Sequence, residues 1–274
     1  MSKRKKIILC LVTAAAVLAI GATVAYLAAT TGTASNVFSS KRYLNVELRE
    51  PTWDGYSWGE TLTGGLQPDG EHAKTKYVEG QQVVDSSLGY NQAQHYSPGQ
   101  TIPKNPMVKN VEGNEAVDAY VAIKVTYSIG GTMKSYADFK KQLLNESGLD
   151  FSNQWALIEE DETNGQIYLY GSGDNSSSTA TVLPVADSTL SDETKAMGIT
   201  PALFTTVPIR SNIDLVETTL TDANGNALKD GNGNEIKENM PPAFKITVKA
   251  YAVQAANVKA SAAASELLKL TASN

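Results

Sequence analysis

The chain contains 274 residues, of which 42% are hydrophobic and 19% are charged, and its formal net charge is −6. This length and apolar content are sufficient for one sizeable core or two small ones, and we expect one domain with long loops. The acidic balance argues against a nucleic-acid partner, because binding to phosphates requires clustered Lys and Arg side chains.

The N-terminus has the pattern of a secretory signal peptide. Residues 3–6 (KRKK) form a basic start, and the apolar stretch 7–20 that follows has 14 residues. A transmembrane helix needs about 20 apolar residues, so this stretch fits a signal peptide better, with an uncleaved anchor as the alternative. We predict a signal peptide at 1–28, which contacts the membrane only before cleavage. The cleavage region comprises Ala25, Tyr26, Leu27, Ala28 and Ala29.

The exported chain is predicted to contain no cysteine. The only cysteine, Cys10, lies inside the signal peptide, where the preceding Leu9 makes it a poor site for lipoprotein acylation. Removal of the signal peptide also removes four basic residues and lowers the formal net charge from −6 to −10. The mature protein would therefore depend on packing or on a bound ion, and not on disulfides, for its stability.

The first half of the mature chain combines strands with a long irregular segment. Residues 29–50 form an N-terminal linker with a predicted strand at 43–48, and the Gly- and Asp-rich segment 51–98 is predicted to be a long loop. Strands are predicted next at 107–111 and 117–127. The second of these alternates apolar and polar residues over eleven positions, so we expect it to have one solvated face.

A short helix is predicted after these strands. Ser135 can cap it, and the pattern continues to about Asn145. The face that we expect to be buried carries Tyr136, Phe139, Leu143 and Leu144.

The second half of the chain is again dominated by strand patterns. Strands are predicted at 155–159, 166–170, 181–185, 203–209 and 244–254, the last with one solvated face. Between them we expect a flexible loop at 171–179, a hairpin excursion at 221–235, and a second short helix at 260–270. About eight strands is typical of β-sandwiches and jelly rolls. We therefore predict an all-β, jelly-roll-like domain at 51–274 with one or two peripheral helices, preceded by the signal helix.

No catalytic constellation is present in the sequence. His72 and His95 are isolated and neither belongs to an H-E-x-x-H helix, which a typical zinc peptidase needs. There is no G-x-S-x-G motif, and the consecutive acids at 159–162 point to alternating faces, as in a solvated loop. We expect a protein that is not an enzyme and that needs no cofactor.

Two groups of residues have a possible binding role. The oxygen-rich residues Asp222, Asn224, Asn226 and Asp230 are weak calcium candidates, because Ala227 and Glu235 occupy the positions where a calcium loop needs glycine. Turn formation explains the same residues. The aromatic residues at 53, 56 and 58 form either a sugar-stacking surface or an anchor for the long loop.

Several segments together resemble a known family. They are GATVAY at 21–26, ASNVF at 34–38, LNVELREP at 44–51, PGQTIPKNP at 98–106, TPALFTTV at 200–207 and AYAVQA at 250–255. In this order they are similar to the leader, first strand, P-G-x-x-x-x-K-x-P strand pair, central strand and last strand of TasA/camelysin-type proteins. That family is exported through a SipW-type signal peptidase. Residues 27–29 replace its usual aromatic and acidic leader residues.

The resemblance implies a secreted jelly-roll subunit of biofilm-matrix or surface fibres on a Gram-positive-type cell. In such fibres the N-terminal segment pairs with the sheet of the next subunit, so the expected partners are further copies and an accessory matrix protein. The candidate polymerisation strand consists of Asn36, Val37, Phe38, Tyr43, Leu44, Val46 and Leu48. An ordinary first strand within one chain is the alternative. Alternative functions are a surface adhesin or carbohydrate-binding module and a camelysin-like metallopeptidase.

Overall fold

The computed structural model describes residues 29–30, 44–113, 115–161, 165–174, 177–187, 189, 198–222, 224 and 226–272. The predicted signal peptide 1–28 lies outside the described residues, and so do the candidate polymerisation residues Asn36, Val37, Phe38 and Tyr43. Within the described ranges, none of the helices has the length and apolar character needed to cross a membrane.

The described chain is mostly β-sheet with a few short helices. The strands are β1 (Ala29–Thr30), β2 (Val46–Arg49), β3 (Lys76–Val78), β4 (Gln81–Val83), β5 (Thr101–Pro103), β6 (Met107–Asn110), β7 (Ala119–Ile129), β8 (Thr132–Lys134), β9 (Trp155–Asp161), β10 (Gly165–Gly173), β11 (Ser178–Ala180), β12 (Thr206–Pro208), β13 (Val216–Thr219), β14 (Lys237–Met240) and β15 (Phe244–Gln254). The helices are α1 (Pro51–Asp54), α2 (Gly89–Ala93), α3 (Tyr136–Leu143) and α4 (Ala263–Ala272), with 3-10 turns at Ala255–Asn257 and Ala260–Ala262. The all-β prediction is confirmed at this level.

The largest sheet is antiparallel and is built around the two long strands. Its order is β1-β15-β7-β10-β11, with β8 beside β7 and β9 beside β10. β15 and β7 pair over eleven residues, from Phe244 opposite Ile129 to Gln254 opposite Ala119. The sequence predicted β15 residue for residue and β7 with a shift of two residues, because uninterrupted alternation of apolar and polar residues is a strong strand signal.

One face of this sheet carries the main core. Val121, Ile123 and Val125 of β7 are fully buried and pack with Phe139 of α3. Short strands cover the same face through Ile102, Val108 and Val207, together with other members of one hydrophobic cluster. The predicted inward face of β7 is confirmed. Helix α3 also follows its prediction, since Ser135 Oγ accepts a hydrogen bond from the N–H of Asp138 at its start.

The opposite face of the sheet is buried over about half its length, and here the prediction of a solvated face is wrong. Tyr120 of β7 and Tyr251 of β15 are buried because α4 packs on them through Ala263 and Leu267. Only the other end of these strands, including the exposed Lys249, keeps a polar outer surface. The C-terminal helix is therefore part of the core.

The covering strands form a ribbon that runs from β5 and β6 to β12. β5 pairs with β12, and β6 continues the pairing through hydrogen bonds between Asn110 N and Gly198 O and between Thr200 N and Val108 O. β2 pairs with β6, so that Leu48 stands opposite Val108. Predicted strands 43–48, 107–111 and 203–209 are all present in this ribbon in shortened form.

The predicted flexible loop at 171–179 is largely a hairpin, which corrects that prediction. β10 continues to Gly173, and β11 pairs with it, so that Gly171 lies opposite Ala180. A Cβ atom at Gly171 would lie 2.2 Å from Thr179 O, so glycine allows the two backbones to approach. The strand predicted at 181–185 is displaced toward the N-terminus, and Leu183 forms only an isolated bridge to Ala119.

Asp150 holds the start of β12 in place. Its carboxylate accepts hydrogen bonds from the N–H groups of Thr205 and Thr206, at 2.8 and 3.0 Å, and from the Thr205 hydroxyl. Burial alone would raise the pKa of this carboxyl, but these hydrogen bonds keep the pKa below its ordinary value of 3.8. The ionised form is therefore favoured in the folded chain.

We expect Asp150→Ala to lower the free energy of unfolding by about 1–2 kcal/mol at pH 7, a small value because the carboxylate is solvent-exposed. The folded pKa is lowered, so this stabilisation is complete above the ordinary value of 3.8 and is lost as the pH falls through the folded pKa. Urea unfolding at pH 7 and pH 3 tests this, with the exposed Glu146→Ala as control. A stability difference that is the same at both pH values would contradict the prediction.

Candidate functional site

The N-terminal segment meets the domain at two places. β1, which begins at the last residue of the predicted cleavage region, pairs with the outer edge of β15, with Ala29 opposite Ala252 and Thr30 opposite Tyr251. Further along, Leu44, Val46 and Leu48 are partly buried against the main core of their own chain. The described part of the candidate polymerisation strand thus has the arrangement of the intramolecular alternative.

Among the described residues, β1 is the strand that pairs with the outer edge of β15. β1 covers the edge at residues 251 and 252, while residues 244–249 have no strand partner on that side within the described ranges. An edge strand with open backbone groups is a template for pairing with another segment.

A buried charged cluster lies at the base of the segment 51–98. It is formed by Arg49 and Glu50 at the end of β2, Asp54 of α1, and Lys104 directly after β5, and all four are less than a tenth exposed. Nζ of Lys104 lies 2.8 Å from Oε2 of Glu50. The ELREP and PGQTIPKNP segments of the sequence thus meet in space at their charged residues.

Two buried atoms of this cluster have no hydrogen-bond partner, namely Glu50 Oε1 and Arg49 Nε. The guanidinium of Arg49 does have partners at Nη2, which lies 3.3 Å from Glu47 Oε1 and donates a hydrogen bond to Gln67 Oε1 at 2.8 Å. Burial raises the pKa of Asp54 from 3.8 to about 6, although the N–H of Tyr56 donates to this carboxylate. The cluster therefore contains a carboxyl group that exchanges its proton near neutral pH.

Local sequence explains why these residues come together. Pro51 starts α1, and Gly55, with a φ of 82°, ends it after a single turn, so that Asp54 faces inward. Gly89 begins α2 against the end of β5, where a Cβ atom would lie 1.8 Å from Pro103 O. No larger residue fits at Gly89, and this close approach places α2 beside the cluster.

The aromatic residues of the segment 51–98 are used as anchors. Trp53 donates a hydrogen bond from Nε1 to Gly70 O at 2.7 Å, and its ring lies 4.3 Å from Nζ of Lys104. Tyr90 packs edge-on against the same ring. Trp58 and Tyr56 are half-buried. Trp53 is thus committed to holding the segment on the domain, which leaves no pair of exposed tryptophans for stacking on a sugar.

The calcium candidates lie in two similar turns. Asp222 Oδ1 accepts hydrogen bonds from the N–H groups of Asn224 and Asn226, at 2.8 and 2.9 Å. Asp230 makes the same two bonds to the asparagines that follow it at the same spacing. Each carboxylate therefore closes its own turn.

The two turns come from a repeat that the sequence prediction missed. The pattern L-x-D-x-N-G-N-x occurs at 220–227 and again at 228–235. Leu228 N donates to Leu220 O, Ile236 N to Leu228 O, and Leu220 N to Ile236 O. The predicted hairpin at 221–235 is thus confirmed as part of an arm in which β13 and β14 form the stem and the two repeats form the turns.

The histidines are not assembled into a metal site. His72 is exposed and lies 2.9 Å from Asp69, and His95 is exposed in the same segment. Among the residues that the structure describes, no group of three or more His, Cys, Asp or Glu side chains is arranged to hold a metal ion.

The buried charged cluster was not predicted from the sequence. Its signal was the Arg-Glu-Pro triplet directly after a strand, followed much later by a lone Lys between two prolines.

No protein-family model, curated protein or solved structure matches this chain. Function must therefore be inferred from its geometry and from the sequence resemblance described above.

Proposed function

We propose that this protein is a secreted structural subunit of an extracellular or biofilm-matrix fibre of the TasA/camelysin type. In this proposal a SipW-type signal peptidase cleaves within residues 25–29, and the mature chain folds as a jelly-roll-like sandwich. The released N-terminal strand leaves its own subunit and pairs with the next one. The partners are further copies of the same chain and an accessory matrix protein from which the fibre grows.

The observation that carries the proposal is the pairing of β1 with the edge of β15. β1 is only two residues long and begins at Ala29, the last residue of the predicted cleavage region, so its exchange breaks few contacts. Residues 244–249 beside it lack a strand partner on that edge within the described part of the chain. A strand from another copy, running antiparallel to β15, can therefore occupy the edge more fully by β-augmentation. Repetition of such a head-to-tail contact produces an open filament.

The position of β2 limits the exchanging segment. Because Val46 and Leu48 pair with β6 and contribute to the core, removing them would damage the fold. Residues 29–43 are the part that can leave without disturbing the described core. The exchanging segment thus ends before Leu44, whereas the candidate strand inferred from sequence continues to Leu48.

The test compares two chains, one starting at Ala29 and one starting at Leu44, by negative-stain electron microscopy and sedimentation. We expect filaments from the first and folded monomers from the second. A matched pair of variants in the long chain refines the result. Thr30→Pro removes the backbone N–H that would donate a hydrogen bond within a sheet, so it should reduce filament mass at least about tenfold. Thr30→Val keeps this N–H and should assemble normally. Monomers from both chains, or filaments from both, would contradict assembly through this strand.

A further inference from the structure

The buried ion pair between Glu50 and Lys104 has the composition of a site for a covalent amide bond. Nζ of Lys104 lies 2.8 Å from Oε2 of Glu50, and the two side chains are only 5% and 10% exposed, respectively. The second carboxylate oxygen, Oε1, is buried without a hydrogen-bond partner. Two charges in such a place carry a desolvation cost that a single hydrogen bond only partly offsets.

A second buried carboxyl group belongs to the same cluster as this pair. Asp54 is 3% exposed and interacts electrostatically with both Glu50 and Lys104. Its pKa is raised by burial to about 6, so it takes up and releases a proton near neutral pH. The remaining charged group of the cluster, Arg49, is paired with Glu47 outside it at 3.3 Å.

Trp53 packs against the Lys104 side of this pair. Its ring lies 4.3 Å from Nζ of Lys104, and the hydrogen bond from its Nε1 to Gly70 O fixes the ring in this position. A closed site keeps the reacting groups in one geometry and hinders the return of released water.

From this geometry we propose that Lys104 and Glu50 condense to an intramolecular amide bond in the folded chain. The ammonium group of Lys104 gives one proton, through the carboxylate of Asp54, to the carboxylate of Glu50, and the resulting amine nitrogen attacks Cδ of the neutral Glu50 carboxyl group. A C–N bond forms, and the C–O bond to one carboxyl oxygen breaks. That oxygen leaves as water with two protons from the nitrogen, one of them delivered through Asp54. The net change is the loss of one water molecule, and no oxidant, reductant or co-reactant is required.

The bond joins the end of β2 to the end of β5. It closes the segment 51–98 covalently at its base, in a chain whose only cysteine lies at position 10. The reaction occurs once per chain and uses only side chains of the same molecule. It does not depend on the proposed fibre function.

Intact mass spectrometry of the purified protein, with the N-terminus determined on the same sample, tests the proposal. We expect a mass lower than that of the sequence by one water molecule. Trypsin should fail to cut after Lys104 and should yield a branched peptide that joins residues 50–74 to residues 77–109. A full sequence mass, with normal cleavage after Lys104, would show that the contact is an ordinary ion pair and would overturn the proposal.

Two controls separate this reaction from other losses of water. Lys104→Arg keeps the positive charge beside Glu50 and is expected to have the full sequence mass; a water loss that persists in this variant would overturn the proposal. The exposed pair of Lys245 and Glu71 has a similar distance of 2.7 Å and serves as an internal control. We expect no branched peptide at that pair, because it is open to water.

The part played by Asp54 is tested by the rate and pH profile of the mass loss. We expect Asp54→Asn to accumulate the cross-linked form at least about tenfold more slowly than the parent chain and to lose the parent's pH dependence near pH 6, since proton transfer contributes about 10²–10⁴ to such rates. An unchanged rate and profile would remove Asp54 from the proposed reaction.

Discussion

Replacement of Phe139 by Ala is expected to lower the free energy of unfolding by about 3–5 kcal/mol. Phe139 is 0% exposed and fixes α3 on the inner face of the large sheet. Its ring lies 5.0 Å from that of Tyr127 and 5.7 Å from that of Phe244. Truncation leaves a cavity between a helix and two long strands, and the paired strands cannot easily collapse into it.

Denaturant unfolding followed by tryptophan fluorescence measures this change. The control is Tyr77→Ala, because Tyr77 is 71% exposed and its loss should change stability by less than about 0.5 kcal/mol. Phe139→Leu, which restores much of the volume, should recover part of the loss. If Phe139→Ala changed the free energy of unfolding as little as Tyr77→Ala does, the packing of α3 on the sheet would be contradicted.

Replacement of Leu267 by Ala is expected to lower the free energy of unfolding by about 2–5 kcal/mol. Leu267 is 0% exposed and belongs to the same buried hydrophobic cluster as Tyr251 and Val253 of β15, the strand that α4 contacts. Loss of its side chain weakens the only described helix that covers this face of the sheet, and water then reaches apolar side chains of the central strands.

The matched control for this prediction is Leu66→Ala, since Leu66 is 65% exposed. The same chemical change at an exposed position should leave the unfolding midpoint nearly unchanged. Hydrogen exchange provides a second measurement, because the amides of α4 should lose protection before those of β7. Equal midpoints for the two leucine variants would show that α4 does not cover the sheet in solution.

The long strands were predictable because their signal is local. β15 alternates apolar and polar side chains without interruption, so neighbouring residues alone specify both the strand and its inner face. The start of α3 was predictable for the same reason, since Ser135 caps it through a contact three residues away. Glycine-rich segments misled the prediction. Gly171 looks like loop sequence, but it lies in a strand where another backbone approaches closely.

The candidate site was not predictable in this way. Glu50 and Lys104 are 54 residues apart, and nothing near either residue shows that they form a pair. The burial of Asp54 depends on α2 and β5, which come much later in the chain. The repeat at 220–235, in contrast, is a local pattern that is visible in the sequence.

Local patterns along the chain were enough to identify an acidic, cysteine-poor, strand-rich protein with an apolar N-terminus, because composition and side-chain periodicity are properties of neighbouring residues. Which faces are buried, which charges meet and which strands pair depend on contacts between distant parts of the chain. Folding closes long loops to make those contacts, and the free energy that offsets this closure comes from the assembled core. The second buried face under α4 and the cluster around Glu50 and Lys104 therefore emerge only when the whole chain has folded.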